Sequence, residues 1–146
     1  MIDKATHRLN RYHFRFMDER LAPLGLSGPA GGPLMEIAHR ESLKMNVLAG
    51  LFPFHKSHIT RVVQHLVETG YVEKAVDLED GRGFILTITE AGRQAAREVN
   101  RAHEEWERLI DQALTEEEKN AYRDITQKVC RKAAAYFAED PDDETL

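Results

Sequence analysis

Two short helical stretches followed at once by two β-rich runs, all between residues 45 and 89, restrict this chain more than any other feature. Met45–Leu51 and Lys56–Thr69 read as helices separated by Phe52-Pro53-Phe54-His55, with Gly70 as a C-terminal stop. Tyr71–Val76 and Gly83–Thr89 are rich in strand-forming residues, and in the second Phe84, Leu86 and Ile88 alternate against Ile85 and Thr87. Asp77 to Arg82 connect the two runs, and Asp80-Gly81 is a strong turn signal. A helix-turn-helix with a hairpin directly behind it predicts a winged helix. Small Ala49 falls where the two helices must approach closely, and Phe54 and Ile59 fall where the turn must be anchored.

In the second helix Ile59, Val62, Val63, Leu66 and Val67 form one apolar stripe. Lys56, Ser57, His58, Thr60, Arg61, Gln64 and His65 are left on or near the outward face. Such a face fits a major groove: Arg pairs with guanine and Gln with adenine through two hydrogen bonds each, and Lys56 would meet a phosphate at the helix start. On an isolated helix the same face would be no more than a solvated surface; the downstream hairpin favours double-stranded DNA as partner. Arg82, flanked by Gly81 and Gly83, has little bulk to keep its guanidinium out of a narrow minor groove. Asp77 is placed to orient it across the hairpin.

The flanks are helical. Ile2, Ala5, Leu9, Tyr12 and Phe16 recur at helical spacing on a segment reaching Leu21, which Pro23 and Gly25 end. Leu34, Ile37 and Ala38 indicate a second helix. Gly28, Pro29, Gly31, Gly32 and Pro33 oppose a regular beginning, so its start is expected near Pro33. Ala91, Ala95, Val99, Ala102, Trp106, Leu109 and Ala113 mark a long helix, and Thr115 with Glu118 forms a capping box for a last one carrying Tyr122, Ile125, Val129, Ala133 and Phe137. These helices have more apolar surface than a small winged core can cover, so a homodimer is expected. The fold class is thus mainly α with a small β-hairpin wing. The expected layout is one winged-helix chain over 1–146, with dimerisation helices at 1–22 and 90–138, a DNA-binding winged helix-turn-helix at 28–89 and an acidic tail at 139–146.

Charge runs the other way at first sight, with 20 Lys and Arg against 25 Asp and Glu. Glu139, Asp140, Asp142, Asp143 and Glu144 hold five of those acids, which leaves the body neutral and a local basic face open. Cys130 is the one cysteine, so no intrachain disulfide and no paired-cysteine zinc site is expected. The N-terminal segment is charged throughout and lacks the apolar stretch of a secretory signal, and no run has the roughly 18 apolar residues of a membrane span. A cytoplasmic location is expected.

The order of elements, the run from Gly25-Leu26-Ser27 through the helix-turn-helix, and Asp77-x-x-Asp80-Gly81-Arg82 followed by Leu86-Thr87-Ile88-Thr89-Glu90-Ala91-Gly92-Arg93 resemble the MarR family of bacterial regulators. The resemblance covers essentially the whole chain and is most specific at the wing and its exit. It implies a two-fold dimer made by the first and last two helices, bound to a pseudopalindromic operator. It also implies a repressor released by a small phenolic or other anionic ligand, or by oxidation. Three departures stand out. Glu79 occupies a wing position that is usually basic or neutral, Pro53 and His55 replace the usual turn glycine and Ser or Thr cap, and Gly31-Gly32 replace a bulky residue. The missing side chains would open space between the first two helices.

A ligand pocket is therefore expected around His13, Phe16, Met17, Met35 and His39, which combine apolar walls with a few polar groups; the alternative is ordinary core packing. Seven histidines raise the question of a metal-responsive regulator, but His55-x-x-His58 falls inside the recognition region and His58 and His65 are two turns apart, and no metal or other cofactor is expected. Cys130, beside Val129 and Ala133, is expected to be a buried inert thiol. No nucleophile elbow, phosphate loop or His-Glu-x-x-His is present, so an enzyme is not expected. The remaining alternative is a dimeric helical adaptor whose hairpin merely packs.

Overall fold

The computed structural model describes residues 2–137; the acidic tail expected at 139–146 lies outside them. The chain divides into two compact units, residues 1–104 and 105–146, with the division inside one long helix.

The first unit begins with α1 (Ile2–Leu21) and a 3-10 turn (Ala22–Leu24) that ends on Gly25 at φ +70°. α2 spans Gly28–Arg40, one turn earlier than the glycines and prolines suggested. Pro29 and Pro33 lie in its first two turns, and the Ser27 side chain makes no cap bond. The cap comes instead from outside the helix: Asp18 Oδ1 on α1 accepts the Gly28 N–H at 2.6 Å. A neighbouring helix thus replaces the local start signal.

Nor do the glycines leave a void. A Cβ on Gly31 would lie 3.1 Å from Val99 Cγ1 and 3.5 Å from Leu21 Cδ1, so the space expected between the first two helices is filled by close packing. Glu41 closes α2 at a positive φ (+64°, with ψ −42°), and among the described residues it is the non-glycine residue with positive φ.

β1 (Ser42–Lys44), α3 (Met45–Leu51) and α4 (Lys56–Glu68) follow, then β2 (Val72–Val76) and β3 (Phe84–Ile88). The sheet has the order β1-β3-β2 and is antiparallel throughout, with Leu43 opposite Leu86 and Lys74 opposite Leu86 on the other side. The hairpin was legible in the sequence; β1, at three residues, was too short to show a period of two. α4 ends in a Schellman pair, Tyr71 N–H to Leu66 O at 2.9 Å and Gly70 N–H to Val67 O at 3.0 Å, with Gly70 at φ +79°.

The core joins Met17 and Leu21 of α1, Leu34 and Ile37 of α2, Leu48, Ile59, Val63 and Leu66 of the helix pair, Leu86 and Ile88 of β3, and Val99 of α5 (Glu90–Asp111). α5 begins where Thr89 Oγ1 accepts the Gly92 N–H at 3.0 Å. Gly92 packs against the Tyr71 carbonyl, which leaves no room for a side chain. On α1 the predicted stripe is divided: Leu9 and Tyr12 are exposed and Phe16 packs half-buried against the core, while Met17 and Leu21, outside the stripe, are buried.

The second unit holds the end of α5 and α6 (Glu116–Phe137). The capping box forms as expected, Glu118 N–H to Thr115 Oγ1 at 3.2 Å and Thr115 N–H to Glu118 Oε2 at 2.9 Å. On α6 the residues of the stripe Tyr122, Ile125, Val129 and Phe137 are all exposed among the described residues. Cys130 is exposed too, contrary to the buried thiol expected, because α6 buries no residue of its own. None of the helices is long and apolar enough to cross a membrane, among the described residues.

Candidate nucleic-acid interface

α4 presents one buried face and one exposed face, as its apolar period requires. Ile59, Val62, Val63 and Leu66 are buried; Lys56, Ser57, Thr60, Arg61 and Gln64 are exposed. Several of the exposed side chains fold back along the helix. Thr60 Oγ1 donates to Lys56 O at 2.8 Å, Arg61 Nε donates to Ser57 O at 3.4 Å, and Gln64 Nε2 donates to Glu68 Oε1 at 3.0 Å.

His58 departs from the expected outward set. Its ring lies 4.9 Å from that of Phe54, and its Nε2 is buried without a hydrogen-bond partner. Phe54 in turn stacks parallel to buried Phe52, so the turn residues pull His58 inward. His55 makes no side-chain cap, matching the absence of a Ser or Thr; its carbonyl accepts the His58 N–H at 2.8 Å.

The wing is organised by Asp77, only 2% exposed. Its N–H donates to Gly83 O (2.9 Å), its carbonyl accepts from Gly81 N–H (2.7 Å), and its Oδ1 accepts from Glu79 N–H (3.0 Å). Oδ2 lies 3.0 Å from Lys44 Nζ. The Lys44 ammonium beside it and the hydrogen bond from Glu79 N–H hold the Asp77 carboxyl below the usual carboxylate range, against the opposing effect of burial. Asp77 likewise pushes the Lys44 ammonium up.

Asp77 therefore pairs with the strand before α3, not with Arg82 as the sequence suggested. Lys44 reaches it because β1 pairs with β3 and sets Lys44 opposite Ile85. Arg82 is exposed and has no ion pair among the described residues. Glu79, the acidic departure on the wing, lies 4.0 Å from Lys44 and so is partly neutralised.

Between α3, α4 and the wing runs a cleft of about 350 Å³ whose lining includes Lys44, Lys56, Thr60, Lys74 and Arg82. Lys74 Nζ stands 4.1 Å from the centre of the Phe84 ring, a cation–π contact that fixes the ammonium without neutralising it. Lys44 and Lys74 escaped the sequence reading. Strand register alone brings them to the cleft, and the three-residue β1 concealed half of that register.

The expected ligand residues do not form one site. Met17 is core at 1% exposure, Phe16 lies under Arg20 at 4.7 Å, and His13 stands beside His103 with ring centres 5.5 Å apart. Burial, and then the nearby His103, lower the His13 pKa. Met35 and His39 do share a groove, of about 550 Å³, between α2 and α5, where they face Arg93, Arg97 and Arg101. Arg93 Nη2 bonds to the Glu41 carboxylate, and Arg93 Nη1 to Glu90 Oε2 at 3.3 Å. The hydrogen bond from Arg93 lowers the Glu41 pKa.

Comparison with known proteins agrees with this architecture. A family model described as MarR family matches residues 24–83, from the end of the 3-10 turn after α1 to the wing turn. The HTH-type transcriptional regulator BilQ of Clostridioides difficile is 24% identical over 103 residues, covering 70% of each chain. The uncharacterized HTH-type transcriptional regulator YwhA of Bacillus subtilis is 27% identical over 130 residues, covering 86% of this chain and 91% of that one. A crystal structure of MarR superposes with a TM-score of 0.83 at 25% identity, covering 94% of both chains. A mutant MarR from E.coli complexed with operator DNA shares the fold at 21% identity, with a TM-score of 0.77 over 88% of this chain and 92% of that one. With the family model seated on the helix-turn-helix and wing, and a MarR structure matching nearly end to end, this chain is similar to the MarR family in both sequence and fold.

Proposed function

We propose that the protein is a homodimeric, sequence-specific DNA-binding transcription regulator of the cytoplasm, acting as a repressor. The observation that carries this reading is the cleft beside α4, where Lys56, Lys74 and Arg82 have no carboxylate partner among the described residues while the one buried acid, Asp77, is occupied by Lys44. A cationic concavity between a helix and a wing suits a duplex, with α4 in the major groove and Arg82 in the minor groove. The net negative charge of the chain does not oppose this, since Lys44, Lys56, Lys74 and Arg82 outnumber Asp77 and Asp80 in the lining of the cleft. The exposed residues of the α1 and α6 stripes support the dimer, as a second copy would bury them.

An effector would act from the groove between α2 and α5. Met35, Ala38 and Ala96 supply apolar surface there, and Arg93, Arg97 and Arg101 supply guanidinium groups that an anionic aromatic ligand would take over from their present partners Glu41, Glu90 and Glu98.

Selection from random duplexes with the wild type and Arg82→Ala in parallel tests the reading. The expected product is a two-half-site motif with centres about one helical turn apart, together with a steep loss of affinity as salt rises. Absence of duplex binding even in dilute buffer would overturn it in favour of a helical adaptor. Titration of benzoate-type acids against the bound complex tests the effector, and an Arg97→Ala variant insensitive to them would place it in the groove.

A further inference from the structure

Asp77 and Arg82 sit at the two ends of one turn and line the same cleft, yet they do not pair. Asp77 is buried, and its two carboxylate oxygens are used differently. Oδ1 takes a backbone N–H within the turn, from Glu79; Oδ2 takes Lys44, which belongs to β1 and not to the wing. A buried carboxylate deprived of its cation is costly, so Oδ2 must attract whichever cation can reach it. Arg82 is five residues along a turn that bends back on itself through the bonds of Gly81 and Gly83 to Asp77. Its planar guanidinium suits a carboxylate better than an ammonium does. The other cations of the cleft are held elsewhere, Lys74 over Phe84 and Lys56 at the start of α4.

We propose that Lys44 is a positioning residue for DNA reading: by occupying Asp77 it keeps Arg82 out of the turn and free to enter the minor groove. This rests on the DNA-binding function proposed above. Lys44 reaches Asp77 from the last position of β1, directly before α3, so the wing is fixed to the body of the winged helix by the same contact that frees its arginine. Glu79 and Asp80 add to the negative field around that ammonium and reinforce its placement. Remove Lys44, and Arg82 turns inward onto Asp77. The wing keeps a paired carboxylate and loses its reader.

The test uses the full chain and a fluorescent duplex recovered by the wild type from a random pool. Lys44→Met and Arg82→Ala are each expected to weaken binding roughly tenfold, the scale of one good groove contact. The double variant should be no weaker than either single one, because both remove the same interaction. Lys44→Met/Asp77→Asn, which deletes the buried charge together with its partner, should return to within about threefold of wild type. In that background Arg82→Ala should again cost roughly tenfold. Lys44→Arg should bind as wild type does.

Additive losses, about a hundredfold in Lys44→Met/Arg82→Ala, would overturn the proposal and make Lys44 a DNA contact in its own right. Failure of Asp77→Asn to rescue would overturn it as well. Should Lys44→Met not fold, the rescued pair with and without Arg82 still decides. If the wild type recovers no duplex at low salt, it is the DNA-binding reading that fails.

Discussion

His65 Nε2 donates a hydrogen bond to the Gly25 carbonyl oxygen at 2.6 Å, tying the last turn of α4 to the loop after α1. Tyr71 Oη donates to the neighbouring carbonyl of Leu24 at 2.8 Å. Two side chains from the end of the candidate reading helix thus hold one short loop. His65→Ala and Tyr71→Phe are each expected to cost about 1 kcal/mol, read as a lower urea midpoint at unchanged slope.

Gly92 and Gly50 should respond in opposite ways to the same change. A Cβ on Gly92 would run into the Tyr71 carbonyl oxygen and lie 2.6 Å from Ile88 Cδ1, so backbone must move. Gly92→Ala is expected to destabilise by about 1–3 kcal/mol. Gly50, inside α3, has nothing within 4 Å of its Cβ position, and Gly50→Ala should be neutral or stabilise by up to about 1 kcal/mol. Thermal unfolding of the two variants beside wild type checks both signs.

Loss of the capping box should be felt locally. Thr115→Ala removes the acceptor for Glu118 N–H, and Glu118→Ala removes that for Thr115 N–H. Each is expected to cost about 1 kcal/mol, seen as faster hydrogen exchange in the first turn of α6 with little change in the exchange of α4.

Acid should weaken the wing before it unfolds the body. The Asp77 and Glu41 pKa values are lowered in the folded chain, by Lys44 and by Arg93 respectively. A lowered folded pKa contributes stability that is complete above the unfolded value, about 4 for these groups, and is lost as pH falls through the folded one. Stability should therefore decline on acidification from about pH 5 downward, and Asp77→Asn should flatten that decline. The raised Lys44 pKa works in the opposite direction: its contribution is complete below the free lysine value and disappears at strongly alkaline pH. Stability curves from pH 3 to 11 separate the two limbs.

Lys74→Ala should lower duplex affinity evenly across sequences and reduce the slope of log affinity against log salt by about 0.9, as expected for one phosphate contact. Phe84→Leu, which removes the ring beneath the ammonium, should have a smaller effect of the same kind.

Much of this architecture was legible because the signals were local. The period of Ile59, Val62, Val63 and Leu66, the stop at Gly70 and the Thr115–Glu118 box each depend on neighbours in sequence, and each appears at the expected residue. What escaped depended on partners far along the chain. α2 begins at Gly28 because Asp18, ten residues back, supplies its cap. The wing is set by Lys44, 33 residues before Asp77, from a strand too short to read. His58 was assigned outward by helical period, and the Phe54 ring covers it. On α1, the regular apolar stripe leaves Leu9 and Tyr12 exposed and only Phe16 against the core, since period reveals an apolar face but not what it packs against.

The contact at Gly31 has a mechanical meaning. With Val99 already against its backbone, α2 cannot settle closer to α5 and has no gap to absorb a displacement. α2 also packs on α4, so a push delivered to α5 at the level of Val99 is transmitted to the helix whose outer face holds Lys56, Thr60 and Arg61. A methyl group at residue 31 would need Val99 to give way by a few tenths of an ångström, so the spacing of α2 and α5 is set by the absence of a side chain there.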